Sequence, residues 1–492
     1  MSEGTISPAA ADRVSTLPAS TAPNMRPLCV DLDGTLVATD TMVEAALALL
    51  RRRPATLLQM PLWLTRGRAR FKNEVAGRQP VQAAGLPYRP EIVDFVRESR
   101  AHGRRVLLTT GSHRATADAV AAHLGLFDEV LATDATTNIR GHRKLAAIRA
   151  AIGDEPFDYI GDATPDVPVL RAAHTAYLAS PARGAVRAMP KAQVLVAAAE
   201  NVGLELLRAM RPLQWVKNAL LAVPMLVGWQ LGDAWRWAGL IAAFVVFSLA
   251  ASSVYLVNDL FDLGADRAHP TKRRRPLASG RLPLSLALIA APALVLLALA
   301  VSVALLPWSF VGTLVLYLAC TALYSWVVKE RAVLDVLWLA GLYTLRLIAG
   351  GEATGVFPSA WLLAFSMFLF LSLALAKRYA ELARVDAQGG TGAAGRGYRT
   401  TDLPLIESAG LAAGYMTVLV LALYINSGDV RAVYRHPELL WLICPLVLYW
   451  ITRLWLWAHR RALNEDPLAF AIKDVPSYII ASAAVIIACL AL

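Results

Sequence analysis

The stretch from Asn258 to Gly280 reads NDLFDLGADRAHPTKRRRPLASG and sets three carboxylates, Asp259, Asp262 and Asp266, directly after an apolar run from Trp235 to Val257. At about 100° per residue the three fall within roughly 60° of one another around a helix, with Asn258 at the edge of that arc, so the spacing predicts one acidic face. An ionised aspartate at a bilayer centre costs about 2.5–3.5 kcal/mol on insertion scales, so three of them abutting a span predict a polar cavity or a bound cation. Mg²⁺ carrying a diphosphate suits such a face, because Mg²⁺ takes one or two carboxylates plus substrate phosphates. The next cations, Arg267, Lys272, Arg273, Arg274 and Arg275, would face the same anion. The competing reading is an acidic and basic loop that merely fixes topology.

A second group of reactive residues begins at PLCVDLDGTL, where Asp31 and Asp33 stand two apart and so project to one side of an extended segment. It continues through VLLTTGS (Val106 to Ser112), GHRK (Gly141 to Lys144) and YIGDATPD (Tyr159 to Asp166). Positioning these residues together requires apolar strands alternating with helices, a doubly wound α/β domain whose functional groups collect at the carboxyl ends of the strands. The four segments, in this order, resemble the haloacid dehalogenase (HAD) superfamily of phosphotransferases over about residues 27 to 185. The resemblance implies Asp31 as nucleophile, Asp33 as general acid and base, and Thr110, rather than Thr109, on a phosphate oxygen. It further implies Lys144 as the charge-neutralising group and Asp31, Asp162 and Asp166 as the Mg²⁺ ligands.

With 57% hydrophobic and 17% charged residues over 492 positions, the chain is too apolar for an ordinary soluble protein, and the apolar runs concentrate after residue 210. The expected organisation is a disordered tail (1–26), a HAD-like domain (27–203) and a polytopic membrane domain (204–492). The tail is rich in Ser, Thr, Ala and Pro and has no secretory core. The net charge of +11 is better explained by basic loops beside spans than by nucleic acid, for which no motif is present. Cys29, Cys320, Cys444 and Cys489 are too scattered for a disulfide framework or a zinc site. An insert over about residues 40–90 mixes apolar residues with Arg51, Arg52, Arg53, Arg66, Arg68 and Arg70. Such a segment suits a small helical cap or a helix lying on an anionic membrane surface.

Nine apolar segments follow, at about 213–231, 235–257, 282–306, 308–328, 333–350, 358–377, 404–426, 437–457 and 475–492. Basic clusters fall in every second loop, and the positive-inside rule places the aspartate loop and the N-terminal domain in the cytoplasm of a multi-pass inner-membrane protein. Nine helices with NDxxDxxxD after the second resemble the UbiA superfamily of intramembrane prenyltransferases, over about residues 205 to 492. The resemblance implies an all-α membrane domain that binds a Mg²⁺-diphosphate donor and a polyprenyl lipid. A second DxxxD motif, found in the quinone and haem branch, is missing. Its place holds LALAKRYAEL, with Lys377, Arg378 and Glu381, while the fourth helix ends YSWVVKERAVLD, with Tyr324, Lys329 and Asp335.

Cations in place of a second acidic cluster suit a donor with an additional phosphate. The segments RPLQWVKN, LRLIAGG, KRYAEL and NEDPLAFAIKD resemble the family's phosphoribosyltransferase branch, whose donor is 5-phosphoribosyl 1-diphosphate and whose acceptor is a polyprenyl phosphate. By that resemblance Lys217, Asn258 and Arg267 hold the donor, Lys272 and Arg275 take the 5-phosphate or the lipid phosphate, and Tyr324, Lys329, Lys377 and Arg378 complete the site. Asp259, Asp262 and Asp266 would carry its Mg²⁺. Lys217 and Tyr324 also fit interface anchors, Tyr398 a simple turn, and Gly350 and Gly351 close helix packing. Two other readings compete: a prenyltransferase with an aromatic acceptor, and a transporter regulated by a degenerate HAD module. An oligomer is compatible with all three.

Overall fold

The structure, a computed structural model, describes residues 26–198, 201–392, 396–463 and 467–492. All of the expected disordered tail except Arg26 lies outside the described residues, as do Asn464 to Asp466 of NEDPLAFAIKD. The chain divides into two compact units, Met1–Leu206 with Asp259–Ser285, and Leu207–Asn258 with Leu286–Leu492.

The first unit is built on six parallel strands: β1 (Leu28–Val30), β2 (Val106–His113), β3 (Glu129–Thr133), β4 (Asp158–Gly161), β5 (Thr175–Ala179) and β6 (Gln193–Val196). Their order is β3-β2-β1-β4-β5-β6, with Val30 beside Leu108 on one side and Ile160 on the other. β1 is fully buried. A central parallel strand covered on both faces calls for an unbroken apolar run, which LCV supplies. Val30, Ile92, Val96 and Val120 pack one face, and Cys29, Ile148, Phe157 and Val169 the other. The strand order reverses between β1 and β4, so the segments leaving their carboxyl ends diverge and open a crevice. Asp31 and Asp33 follow β1, Thr110 and Ser112 lie near the carboxyl end of β2, and Asp162 and Asp166 follow β4.

The insert folds as a compact helical cap of α1 (Thr41–Arg52), a 3₁₀ turn (Pro54–Leu58), α2 (Met60–Thr65) and α3 (Arg68–Arg78). Asp40 caps α1 by accepting from Met42 N and Val43 N at 3.0 Å each, Glu44 sits in its first turn and Arg51 and Arg52 in its last, all in accord with the helix dipole. Pro54 then prevents continuation. Ala45, Leu49, Trp63 and Val75 form the cap's small core.

Among the described residues seven helices are long and apolar enough to cross a membrane, where nine segments were expected. The segment 213–231 is instead a 3₁₀ helix (Pro212–Ala222) running into a short helix (Val223–Val227), and Pro224, which has no N–H to donate, interrupts the run between them. The last segment is a 17-residue helix, Val475–Ala491. In the second unit small residues admit close contacts: a Cβ on Gly350 would lie 2.0 Å from Leu221 O. Trp455 lies over Gly410 and donates its Nε1–H to Ser372 at 3.0 Å.

Candidate active sites

Parallel neighbours bring the first site together from residues more than a hundred positions apart. Lys144, on the helix His142–Ile152, lies 3.0 Å from Asp31 Oδ1 and donates to Asp166 Oδ1 at 2.7 Å and to the Tyr159 hydroxyl at 2.9 Å. Tyr159 in turn donates to Asp166 at 3.0 Å. Asp33 accepts from Thr41 N at 2.9 Å and from the Ser112 hydroxyl, which leaves Thr41 Oγ1 to donate to Ser112 at 2.9 Å. Thr110 Oγ1 accepts from Ser112 N at 2.9 Å, while Thr109, one step along the strand, points to Val30 O at 3.4 Å.

Burial pushes Asp31 well above the usual carboxylate range, against the pull of Lys144, and raises Asp162 to about 7, with Asp166 adding to the shift. Burial, helped by Asp40, lifts Asp33 to about 6 despite its hydrogen bonds to Ser112 and Thr41. Burial alone would lower the Lys144 pKa, but Asp31 and Asp166 hold it well above the ordinary lysine value. Asp31, Asp162 and Asp166 offer oxygens within 4.8 Å of one another. Such a crowded, mutually repelling carboxylate set fits a hard divalent cation, whose charge would remove the repulsion. Gly34 permits the arrangement: it holds φ +76°, and a Cβ there would meet Asp162 Oδ2 at 2.1 Å. The cap contributes a residue the sequence pattern gave no reason to single out, Lys72 on α3. Its ammonium reaches Gly111 O, next to Thr110, and Asn138 Oδ1 at 3.1 Å, and burial lowers its pKa.

The aspartate run lies in the first unit apart from Asn258. The expected single helical face is broken: the helix Ala234–Phe261 ends before Asp262, which stands at the N-cap position of a new short helix, Leu263–Ala268, without a side-chain capping bond. Asp259 and Asp266 are buried and share Arg275, whose Nη1 lies 3.1 Å from the one and 2.6 Å from the other. Asp262 accepts from Arg51. Arg267, expected to face a donor, is turned onto Glu44 at 2.8 and 2.5 Å and onto Ala278 O at 2.9 Å. Lys272 is exposed in a 3₁₀ turn.

In the second unit Lys217, Asn258, Tyr324 and Lys377 line one cavity of about 180 Å³, larger than the roughly 150 Å³ that admits benzene. Among the described residues that line it there is no carboxylate. Arg346 also faces it, and sequence reasoning passed it over except as part of LRLIAGG. The signal was there: an arginine inside an otherwise apolar span marks a functional position. Arg346 is 6% exposed and donates to Tyr317 OH at 2.9 Å, Leu342 O at 2.8 Å and Asn218 Oδ1 at 3.2 Å, with its guanidinium over the Tyr317 and Tyr343 rings at 4.9 and 5.4 Å. Among the described residues no carboxylate pairs with it. Lys329 and Arg378 do not line the cavity. Arg378, expected to bind substrate, is instead locked in a buried pair with Asp335 at 2.6 Å, and Asp335 also accepts from Tyr398 OH at 2.7 Å. A buried carboxylate captures the nearest guanidinium because leaving either charge unpaired is costly. Tyr398 is thus part of an ion-pair network and more than a turn.

Residues 219–473 match the UbiA prenyltransferase family, more than half of the chain. The chain belongs to the UbiA prenyltransferase family. Residues 28–171 match haloacid dehalogenase-like hydrolase. This member of the UbiA family is 35% identical to the uncharacterized protein y4nM of Sinorhizobium fredii, over 92% of this chain and 89% of that protein. It is 40% identical to the decaprenyl-phosphate phosphoribosyltransferase of Mycobacterium tuberculosis over 38% of this chain and 64% of that protein. A UbiA homolog from Archaeoglobus fulgidus, solved with GPP and Mg²⁺, aligns with 57% of this chain and 99% of its own at 17% identity and a TM-score of 0.43. The chain is therefore an integral membrane enzyme, a UbiA-type transferase carrying a HAD-like hydrolase domain.

Proposed function

We propose that the membrane unit transfers 5-phosphoribose from 5-phosphoribosyl 1-diphosphate to a polyprenyl phosphate, and that the HAD domain removes the 5-phosphate from the product. The observation that carries this reading is the cavity with Lys217, Arg346 and Lys377 on its wall. A cavity wall that bears these cations, with Arg346 buried and paired with no carboxylate among the described residues, suits substrates that bring phosphate in addition to a metal-bound diphosphate better than it suits a neutral aromatic acceptor. The similarity to a phosphoribosyltransferase supports the same choice.

In the transfer step the bond from ribose C1 to the diphosphate oxygen breaks and a lipid phosphate oxygen bonds to C1. Positive charge developing on the ribose is best tolerated where the two anionic partners are held rigidly by the cavity's lysines and arginine. Asp259, Asp262 and Asp266 would hold Mg²⁺ once Arg275 and Arg51 are displaced, and Mg²⁺ there supplies charge neutralisation of the departing diphosphate. In the HAD domain Asp31 attacks phosphorus, the ribose 5-oxygen leaves with a proton from Asp33, and water then releases phosphate with Asp33 as base. A group lifted to about 6 suits both directions of proton transfer near neutrality. Thr110 and Lys144 hold the phosphoryl oxygens, and Asp31, Asp162 and Asp166 would hold the second Mg²⁺. The basic loops support a cytoplasmic position for the first unit at the inner membrane.

The test is one assay on the purified full chain with farnesyl phosphate, Mg²⁺ and radiolabelled phosphoribosyl diphosphate. Label should pass to the lipid, and geranyl diphosphate should not compete. Transfer from geranyl diphosphate to an aromatic acceptor, with none from phosphoribosyl diphosphate, would replace this reading with the quinone-type one.

A further inference from the structure

Four leucines within eight positions of the cap point outward: Leu57 at 58% exposure, Leu58 at 84%, Leu62 at 54% and Leu64 at 55%. Single exposed leucines need no explanation, but a cluster does. Trp63, between the last two, is turned into the cap core and covered by Arg78 at 4.7 Å, so the outward leucines are not core residues left over by poor packing. Exposed arginines flank the ridge on both sides, Arg52 and Arg53 before it and Arg66 and Arg68 after it. From Ala45 to Asn73 the sequence contains no aspartate or glutamate.

We infer that this ridge, Leu57 to Leu64 with its four arginines, is a docking surface for an anionic lipid bilayer, seated at the headgroup boundary with the leucines in the acyl region. Apolar side chains rimmed by cations with no acid among them are complementary to a surface that is negative outside and apolar beneath. A protein partner would need a matching acidic rim around an apolar centre, whereas a bilayer offers both everywhere. The second unit of the same chain spans a membrane, so the cap meets lipid at high effective concentration and moderate intrinsic affinity suffices. The short proline-broken elements (Pro54, Pro61) exclude spanning and favour lying flat. Because α3 of this cap also sends Lys72 to Gly111 O beside Thr110, the surface gives the HAD site access to phosphate esters carried by lipid; this last clause rests on the phosphatase reading above.

The experiment places p-benzoylphenylalanine at position 58 of the full chain, reconstituted in nanodiscs of phosphatidylglycerol or phosphatidylcholine and irradiated. Lipid adducts should form in phosphatidylglycerol, and replacing Arg52, Arg53, Arg66 and Arg68 by Gln should reduce them at least fivefold, since one arginine at an anionic surface is worth a factor of about five. Adducts to protein, from the second unit or a second copy, or no adduct in either lipid, would overturn the inference. A second arm uses Leu57→Ser, Leu58→Ser, Leu62→Ser and Leu64→Ser together. Hydrolysis of p-nitrophenyl phosphate should be unchanged while hydrolysis of a lipid-borne phosphomonoester falls several-fold. Equal loss on both substrates, or on neither, removes the link to catalysis. Lipid adducts together with inactivity of the wild type on both substrates would refute the phosphatase reading while the surface stands.

Discussion

Arg51, in the last turn of α1, donates to the Asp262 carboxylate and to Phe261 O at 2.7 Å. The same helix presents Thr41 N to Asp33 at its other end, so one rigid element touches both acidic clusters of the first unit. A cation seated on Asp262 competes with any metal there. Arg51→Ala should therefore lower the Mg²⁺ concentration that half-saturates transfer. The pair is 39% and 31% exposed, and screened pairs are worth about 0–1 kcal/mol, so the shift should be up to about fivefold. A Mg²⁺ titration of the initial rate measures it, and a higher requirement in the variant would contradict the competition.

Asp259→Asn and Asp262→Asn should each abolish transfer while the protein still inserts and melts normally. Loss of a metal ligand costs several kcal/mol of transition-state stabilisation, and each 1.4 kcal/mol is about tenfold in rate. If both variants keep more than about a tenth of the wild-type turnover, metal binding at these residues is refuted.

Arg346→Gln should weaken recognition of the acceptor's phosphate. The side chain keeps the cavity polar but removes the positive charge, and charge-assisted hydrogen bonds are worth about 1.5–3 kcal/mol, roughly ten- to a hundredfold. Thermal stabilisation of the full chain by farnesyl phosphate, compared with farnesol, reads this without turnover. The wild type should be stabilised by the phosphate alone, and Arg346→Lys should recover part of the effect. A variant stabilised as strongly as wild type would assign Arg346 to packing.

Asp31→Asn should leave transfer intact and stop the sequence at the 5-phosphorylated lipid. Mass spectrometry of the lipid extract should then find the phosphorylated product accumulating, while wild type releases one phosphate per ribose transferred. If both proteins end at the same phosphorylated lipid, the HAD domain serves another substrate.

What could be read from the chain alone was the chemistry set by short spacings. LCV followed by DLDGT announces a buried parallel strand ending in two aspartates on one side, since alternation along a strand depends only on neighbours. The apolar runs announce a membrane unit, and the seven long helices overlap seven of them, with different ends, because burial of a hydrophobic stretch in lipid needs no partner to be specified. Whether the run 213–231 becomes one long helix was decided by Pro224, locally visible but outweighed by hydropathy in the expectation. Tertiary structure decided the fate of the cations. Arg267, Arg275 and Arg378 look alike in sequence, yet one pairs with Glu44, one bridges Asp259 and Asp266, and one is sequestered by Asp335. A guanidinium reaches any carboxylate that folding brings within a few ångströms, and the partners here stand from 9 to 223 positions away. The cavity wall is likewise a product of packing: Arg346 faces Lys217 and Lys377 because three separate segments converge there, and no periodicity within any one of them encodes that meeting.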